Sequence, residues 1–164
     1  MKPELTQARL KELLHYDPET GVFVRRKSRR ADLINTRAGA TSSEGYCVIK
    51  IGTRAFKAHR LAFLYMTGAP PPAEVDHINR DRADNRWVNL RAATARENGG
   101  NKGPRRDNAS GHRGVSWYKR GGKWRVQGKR NGRKKHLGYF SSLEEAAAVA
   151  KAWREEYFGK FAVA

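Results

Sequence analysis

Apolar positions along the chain change their spacing several times, and each change marks an element. Leu5, Leu10, Leu13 and Leu14 share roughly one helical stripe between Pro3 and Leu14, and Asp17-Pro18-Glu19-Thr20-Gly21 is a turn that ends it. A short leading helix is predicted. Gly21 to Arg25, Gly45 to Ile51 and Arg54 to Ala58 alternate or run apolar between glycine-marked turns and carry β-branched and aromatic residues, the pattern of strands. His59 to Met66 is helical in composition. The stop Gly68-Ala69-Pro70-Pro71-Pro72 ends it, because proline lacks an amide donor and disfavours helical backbone in its predecessor. Glu74 to Ile78 and Trp87 to Arg91 then read as strands around a polar loop, Asn79 to Arg86. A short helix follows, with Thr94 and Glu97 at the spacing of a capping box.

Gly99 to Ser110 is rich in Gly, Asn, Lys and Arg without an apolar anchor, so it reads as a basic flexible linker. Three short strands follow, near Gly114 to Lys119, Lys123 to Lys129 and Lys134 to Phe140, and a helix begins near Ser141. Period two places Trp124, Val126 and Gly128 on one face of the second strand, with Arg125, Gln127 and Lys129 on the other. In the third it sets Lys135, Leu137 and Tyr139 against Lys134, His136 and Gly138. The closing helix repeats Leu143, Ala146, Ala147, Ala150, Trp153 and Tyr157 at helical spacing, and its alanines allow close approach to the apolar sheet face. The expected fold is α+β: N-terminal β-hairpins lead into a ββα finger, and a basic linker joins it to a three-stranded antiparallel sheet packed on one helix. The expected domains are 1–98, with a β-rich part over 1–58 and the finger at about 73–98, then the linker 99–110, then 111–164.

Charge narrows the partner. The chain has 164 residues and a formal net charge of +18. An excess of this size points to a polyanion, since Lys and Arg release condensed counterions when they neutralise phosphates. No segment approaches membrane-spanning length, no basic stretch followed by a hydrophobic run opens the chain, and no amphipathic basic helix is long enough for a membrane surface. Cys47 is the single cysteine, in an apolar strand, so an intrachain disulfide and a Cys-based zinc site are excluded. A reduced, cytoplasmic compartment is the expectation.

The polar residues of the ββα segment carry candidate chemistry. Phosphodiester hydrolysis needs a cation to neutralise developing charge and a base to take a proton from the attacking water. Asp76 can supply a metal ligand, and His77 a base, its ordinary pKa of about 6.5 leaving much of it neutral at physiological pH. On a regular strand the two point to opposite faces, so they meet one cation and one water only across a twisted or bulged ribbon. Asn98 offers a second, neutral oxygen ligand. One carboxylate and one amide suit Mg²⁺ or Mn²⁺, which keep waters and recruit phosphate oxygens. Asn89 is placed to bond backbone groups across the loop and hold the strand of His77.

Val75-Asp76-His77-Ile78-Asn79, Asn85-Arg86, Trp87-Val88-Asn89-Leu90-Arg91 and Glu97-Asn98 together resemble the HNH endonucleases, in the phage and homing-type branch whose last motif residue is Asn. The resemblance implies a ββα-metal finger that cuts DNA with one divalent ion, with Asp76 and Asn98 as ligands, His77 as base and Asn89 as the clamp. His59 matches a recurrent position upstream of the finger, and its role is open. Arg113-Gly114-Val115, Trp117, Gly122-Lys123-Trp124, Leu137-Gly138-Tyr139-Phe140 and Glu144-Glu145-Ala146-Ala147 look like the DNA-binding domain of plant ethylene-response factors, the apetala class. That resemblance implies a sheet face on the major groove, with contacts at Arg113, Ser116, Tyr118, Gln127, Lys129, Lys134 and His136. Several differ in type from the plant pattern, so the plant target sequence does not carry over. Arg125 joins them on face parity.

The expectation is therefore a nuclease held on double-stranded DNA, monomeric or weakly dimeric, and in the host bacterial cytoplasm if phage-encoded. Two alternatives stay open: a DNA-binding regulator with an inactive nuclease domain, and a basic RNA-binding protein. The cationic outer face expected for the sheet speaks against the latter, which would read RNA by stacking.

Overall fold

A computed structural model describes residues 4–130 and 132–162. The chain divides into two compact units, one ending at Ala95 and the other starting at Arg96. In the first, helix α1 (Gln7–Leu13) starts at Thr6, whose Oγ1 accepts from the Arg9 amide. So short a helix depends on tertiary packing, and Leu10 supplies it as a fully buried residue. The expected helix reached from Pro3, which lies outside the described residues, to Leu14. The helix instead stops at Leu13, because Leu14 takes extended geometry and opens strand β1 (Leu14–Tyr16), where Leu14 and Tyr16 are buried and His15 is exposed. Here the alternation that buries Leu14 and Tyr16 outweighs the helical stripe.

β1 pairs antiparallel with β2 (Phe23–Arg25). Their turn is held by Asp17, whose carboxylate accepts from the Glu19 amide and the Thr20 hydroxyl. A second sheet contains the short β3 (Ala40–Thr41), β4 (Cys47–Ile51) and β5 (Arg54–Lys57). β5 runs into helix α2 (Ala58–Thr67), which ends at Gly68 in left-handed geometry. One core gathers Leu10, Leu14, Tyr16, Phe23, Ile49 and Leu61, with Val75 and Leu90 joining it from the next ribbon. That ribbon is β6 (Glu74–His77) paired with β7 (Leu90–Ala93). The strand expected over Trp87 to Arg91 starts only at Leu90, because Trp87–Asn89 is a single 3-10 turn. The Trp87 amide donates to Pro18 O and that of Asn89 to Arg86 O, which removes both from the ladder.

The second unit begins within the short helix α3 (Ala95–Gly100), ahead of the boundary expected at Asn98. The stretch expected to be a flexible linker is tied into this unit. Arg113 Nη1 donates to Gly100 O and Lys102 O, and Asn101 and Ser110 are buried. The anchors are polar and come from residues further along the chain, which a local reading of hydrophobicity does not register. β8 (Val115–Tyr118), β9 (Lys123–Arg130) and β10 (Arg133–Phe140) form an antiparallel sheet with β9 central. Helix α4 (Leu143–Phe158) covers one face and is capped by Ser142, whose Oγ accepts from the Glu144 and Glu145 amides. Val115, Val126, Ala146 and Ala150 form its buried core. Gly128 leaves room for Trp153; a Cβ there would lie 2.6 Å from the indole.

The register of β10 differs from simple alternation. A shift between His136 and Gly138 pairs Gly138 with Val126 and Tyr139 with Arg125, so Tyr139 joins the outer row rather than the apolar face assigned to it by period two. The extra residue, Leu137, is the mark of a β-bulge beside a glycine. Among the described residues, no helix is long and apolar enough to cross a membrane.

Gly21 has φ +71°, and a Cβ there would fall 2.4 Å from the Asn85 carbonyl carbon and the Arg86 amide nitrogen. Gly21→Ala therefore destabilises the first unit by about 2 kcal/mol or more. A thermal melt showing no loss would contradict this packing.

Candidate active site and nucleic-acid face

Asp76 and His77 end β6 in an unbroken register, Asp76 opposite Arg91 and His77 opposite Leu90. They therefore leave the ribbon on opposite faces. The Asp76 carboxylate meets Arg91, Nε at 2.8 Å and Nη2 at 2.7 Å, and both side chains are largely buried. Sequence reading missed this partner, because it appears only once β7 is seen to start at Leu90. The His77 side shares a wall with Val75 and packs against a second imidazole. The His59 ring lies 4.9 Å from it edge-to-face, and Tyr46 lies 5.3 Å from His59 and 6.1 Å from His77. Both histidines are 5% exposed.

Burial makes charge on these rings costly. Desolvation, joined by the like charges of His77, Lys57 and Arg60, drives His59 down to about 3. Desolvation also moves His77 below the usual histidine range, opposed by the hydrogen bond to Asn85 and by Asp76 and neighbouring carboxylates. Both rings are neutral at physiological pH. His59 Nδ1 is buried without a hydrogen-bond partner among the described residues.

The loop from 78 to 89 is held by its own polar groups. Ile78 N donates to Asn89 O; Asn79 N donates to Asn89 Oδ1 at 3.0 Å; Asn89 Nδ2 donates to Asn79 Oδ1 at 3.0 Å and to Asp84 O at 2.8 Å. Asp84 in turn accepts from Asn79 and forms an ion pair with Arg86, whose hydrogen bond holds its carboxyl at about 2. Arg80, at φ +66°, donates its amide to His77 O. A largely polar loop is thus held by its own hydrogen bonds, with Trp87 packed against Phe63 and the core as its apolar anchor. Beside it, Lys57 Nζ and the Arg82 guanidinium stand 3.9 and 4.8 Å from the centre of the Tyr46 ring.

Asn98 lies on α3 and so in the second unit. The oxygen donors Asp76 and Asn98 suit a hard divalent cation by type, while Arg91 already balances the Asp76 charge. Among the described residues, no three of His, Cys, Asp and Glu converge on one point. Cys47 is half-buried, and burial raises its thiol above the ordinary range.

The second unit presents a row-by-row outer face. Ser116, Arg125 and Tyr139 form one row, Gln127 and His136 the next, Lys129 and Lys134 a third. Arg125 Nη2 donates to Ser116 Oγ at 3.4 Å. Tyr139 lies 5.0 Å from Tyr118 and 4.6 Å from His136, so an aromatic strip lies among the cations. Tyr139 was missed by alternation, although Leu137-Gly138 carried the signal of a bulge. Past Lys134 the hairpin end forms a cleft of about 520 Å³ lined by Arg130, Arg133, Lys134 and Lys135. Arg113 is half-buried and points into its own unit, its charge bound to the carbonyls of Gly100 and Lys102.

Residues 56–99 match the family model described as HNH endonuclease. The match runs from β5 through α3 and includes His59, Asp76, His77, Asn89 and Asn98, and it leaves the N-terminal hairpin and the β8–β10 sheet outside. It implies a nuclease whose substrate is nucleic acid. No curated protein and no solved structure matches the chain.

Two stability outcomes follow. An unfolded His59 titrates near 6.5 and the folded one near 3, so the unfolded chain takes up a proton that the fold refuses. The His59 contribution to stability is then complete above about pH 6.5 and declines as pH falls toward 3. Thermal melts between pH 7 and 5 show this decline, and His59→Phe flattens it. Arg91→Ala removes an ion-pair partner of the buried Asp76 carboxylate and costs about 3 kcal/mol, of which Asp76→Asn in the same chain recovers part; denaturant unfolding of the four variants in a double-mutant cycle measures it.

Proposed function

We propose that the protein is a metal-dependent endonuclease that hydrolyses DNA phosphodiester bonds at the β6–β7 ribbon and is held on double-stranded DNA by the outer face of β8–β10. The observation that carries this reading is the neutral, buried His77 at the end of β6, fixed by a loop that Asn89 closes, within the segment that matches HNH endonucleases. His77 takes a proton from the attacking water as the water oxygen bonds to phosphorus. The bond to the leaving sugar oxygen breaks, and that oxygen gains a proton. Asn89 acts by fixing the loop, and Asp76, with the Asn98 that the motif names, supplies oxygen donors for Mg²⁺ or Mn²⁺. When bound, the cation neutralises charge developing on the phosphate.

Ser116, Arg125, Gln127, Lys129, Lys134 and His136 form a polar and cationic face with the hydrogen-bonding groups that major-groove base edges accept, and Tyr118 and Tyr139 add stacking or methyl-contact surface. The resemblance to the ethylene-response-factor domain supports the same face. A phage or mobile-element origin and a homing role fit the combination of the two units.

A second reading has one observation in its favour. The Asp76 carboxylate is occupied by Arg91, as in a ribbon kept for its fold by a DNA-binding regulator that no longer cuts. Supercoiled plasmid separates the two. Conversion to open-circular or linear DNA with Mg²⁺ or Mn²⁺, blocked by chelator and lost in Asp76→Ala and His77→Ala at unchanged DNA affinity, is expected of the nuclease. The regulator gives a gel shift without conversion. Neutralising Lys129 and Lys134 together lowers the slope of log affinity against log salt by about two; an unchanged slope removes these residues from the DNA face.

A further inference from the structure

We infer that Asn85 is a positioning residue for His77, holding the imidazole proton on Nε2 so that the ring's lone pair is on Nδ1, and that the β1–β2 hairpin sets Asn85 in place. The inference deepens the proposed role of His77 as base and rests on that reading for its consequence on rate.

The chemistry of the Asn85 amide leaves one orientation. Its Nδ2 donates to Ala83 O at 2.9 Å, and a carbonyl can only accept, so this end of the amide is the NH₂ group. The other end is therefore Oδ1, which lies 3.4 Å from His77 Nε2. Oδ1 is an acceptor, so Nε2 must bring the proton. Buried beside a second imidazole, His77 is held as the uncharged ring, which has one N–H and one lone pair. With the proton on Nε2, the lone pair is on Nδ1. The tautomer of a catalytic histidine is worth much: the wrong one costs about four orders of magnitude in the serine protease triad.

Asn85 does not hold this pose alone. It is 3% exposed, and its backbone is fixed by residues distant in sequence. The Tyr16 hydroxyl donates to Asn85 O at 2.7 Å from within the core. Gly21 stands so close to Asn85 and Arg86 that no side chain fits between, and Pro18 O accepts from the Trp87 amide. Three contacts from one hairpin thus bear on the Asn85–Trp87 corner. This gives the hairpin, which lies outside the segment matching HNH endonucleases, a part in setting the active site.

Long-range ¹H–¹⁵N correlation spectra of the full chain, with His77 assigned by its loss in His77→Gln, read the tautomer directly. Protonated Nε2 and unprotonated Nδ1 are expected in the native protein, and a mixture in Asn85→Ala. Asn85→Asp keeps an acceptor toward the ring and retains the native pattern. In plasmid cleavage Asn85→Ala lowers kcat about tenfold or more with KM and DNA affinity within about twofold, and Tyr16→Phe lowers kcat in the same direction by less. A native proton on Nδ1 overturns the inference, and so does an Asn85→Ala protein with native tautomer and native kcat; an unchanged kcat in Tyr16→Phe overturns the part given to the hairpin. If Asn85→Ala does not fold, the native spectrum and Asn85→Asp decide. A native Nε2–H signature in a protein that cleaves no DNA upholds the tautomer and rejects the nuclease reading.

Discussion

The polar closure of the loop between β6 and β7 is the constraint on which the site depends. Two four-residue strands have little apolar surface of their own, and the twelve positions 78–89 between them contain few residues that could bury any. Asn89 resolves this through one side chain that both accepts from and donates to Asn79 and reaches Asp84 O. Each bond is worth about 1 kcal/mol net, but leaving a buried group unpaired costs more, so the set behaves as a unit. His77 inherits its position from that unit, since Arg80 returns to its carbonyl and Asn85 reaches its ring.

Burial then decides the chemistry of the ring. His77 and His59 lie in a wall shared with Tyr46, where charging either one would require desolvating it beside the other. A neutral imidazole is what a base must be before it takes a proton. The same burial on the opposite face of the ribbon calls for compensation of Asp76, and Arg91 provides it from the directly opposed position. The ribbon thus separates a neutral face from an ion-paired face within one peptide step.

The second unit solves a different problem with similar economy. Its helix is alanine-rich where it meets the sheet, and glycine at 128 admits the Trp153 ring, so a small sheet can be covered on one side by one helix. The other side is left to polar and cationic groups. A single bulge at Leu137 turns Tyr139 outward to meet Tyr118 and His136, which makes that side less purely cationic than its sequence suggests. Stacking surface among cations also weakens the reason for setting RNA aside, which was the cationic character expected of this face.

The sequence by itself determined the caps and stops, the α+β class and the three-strand-then-helix order of the second unit, because helix stops, turn glycines and alternation are local properties of the backbone and of neighbouring side chains. Thr6 and Ser142 cap where their side chains can reach the next amides, and the proline run after Gly68 ends α2 for reasons contained in those residues. Only the tertiary structure decided that Leu14 belongs to a strand, that Arg91 faces Asp76, that Tyr139 faces outward, that Arg113 turns inward and that residues 99–110 are anchored. Each of these depends on register or on a partner distant in sequence. A one-residue shift in pairing moves a side chain to the other face of a sheet, and no local propensity carries that information.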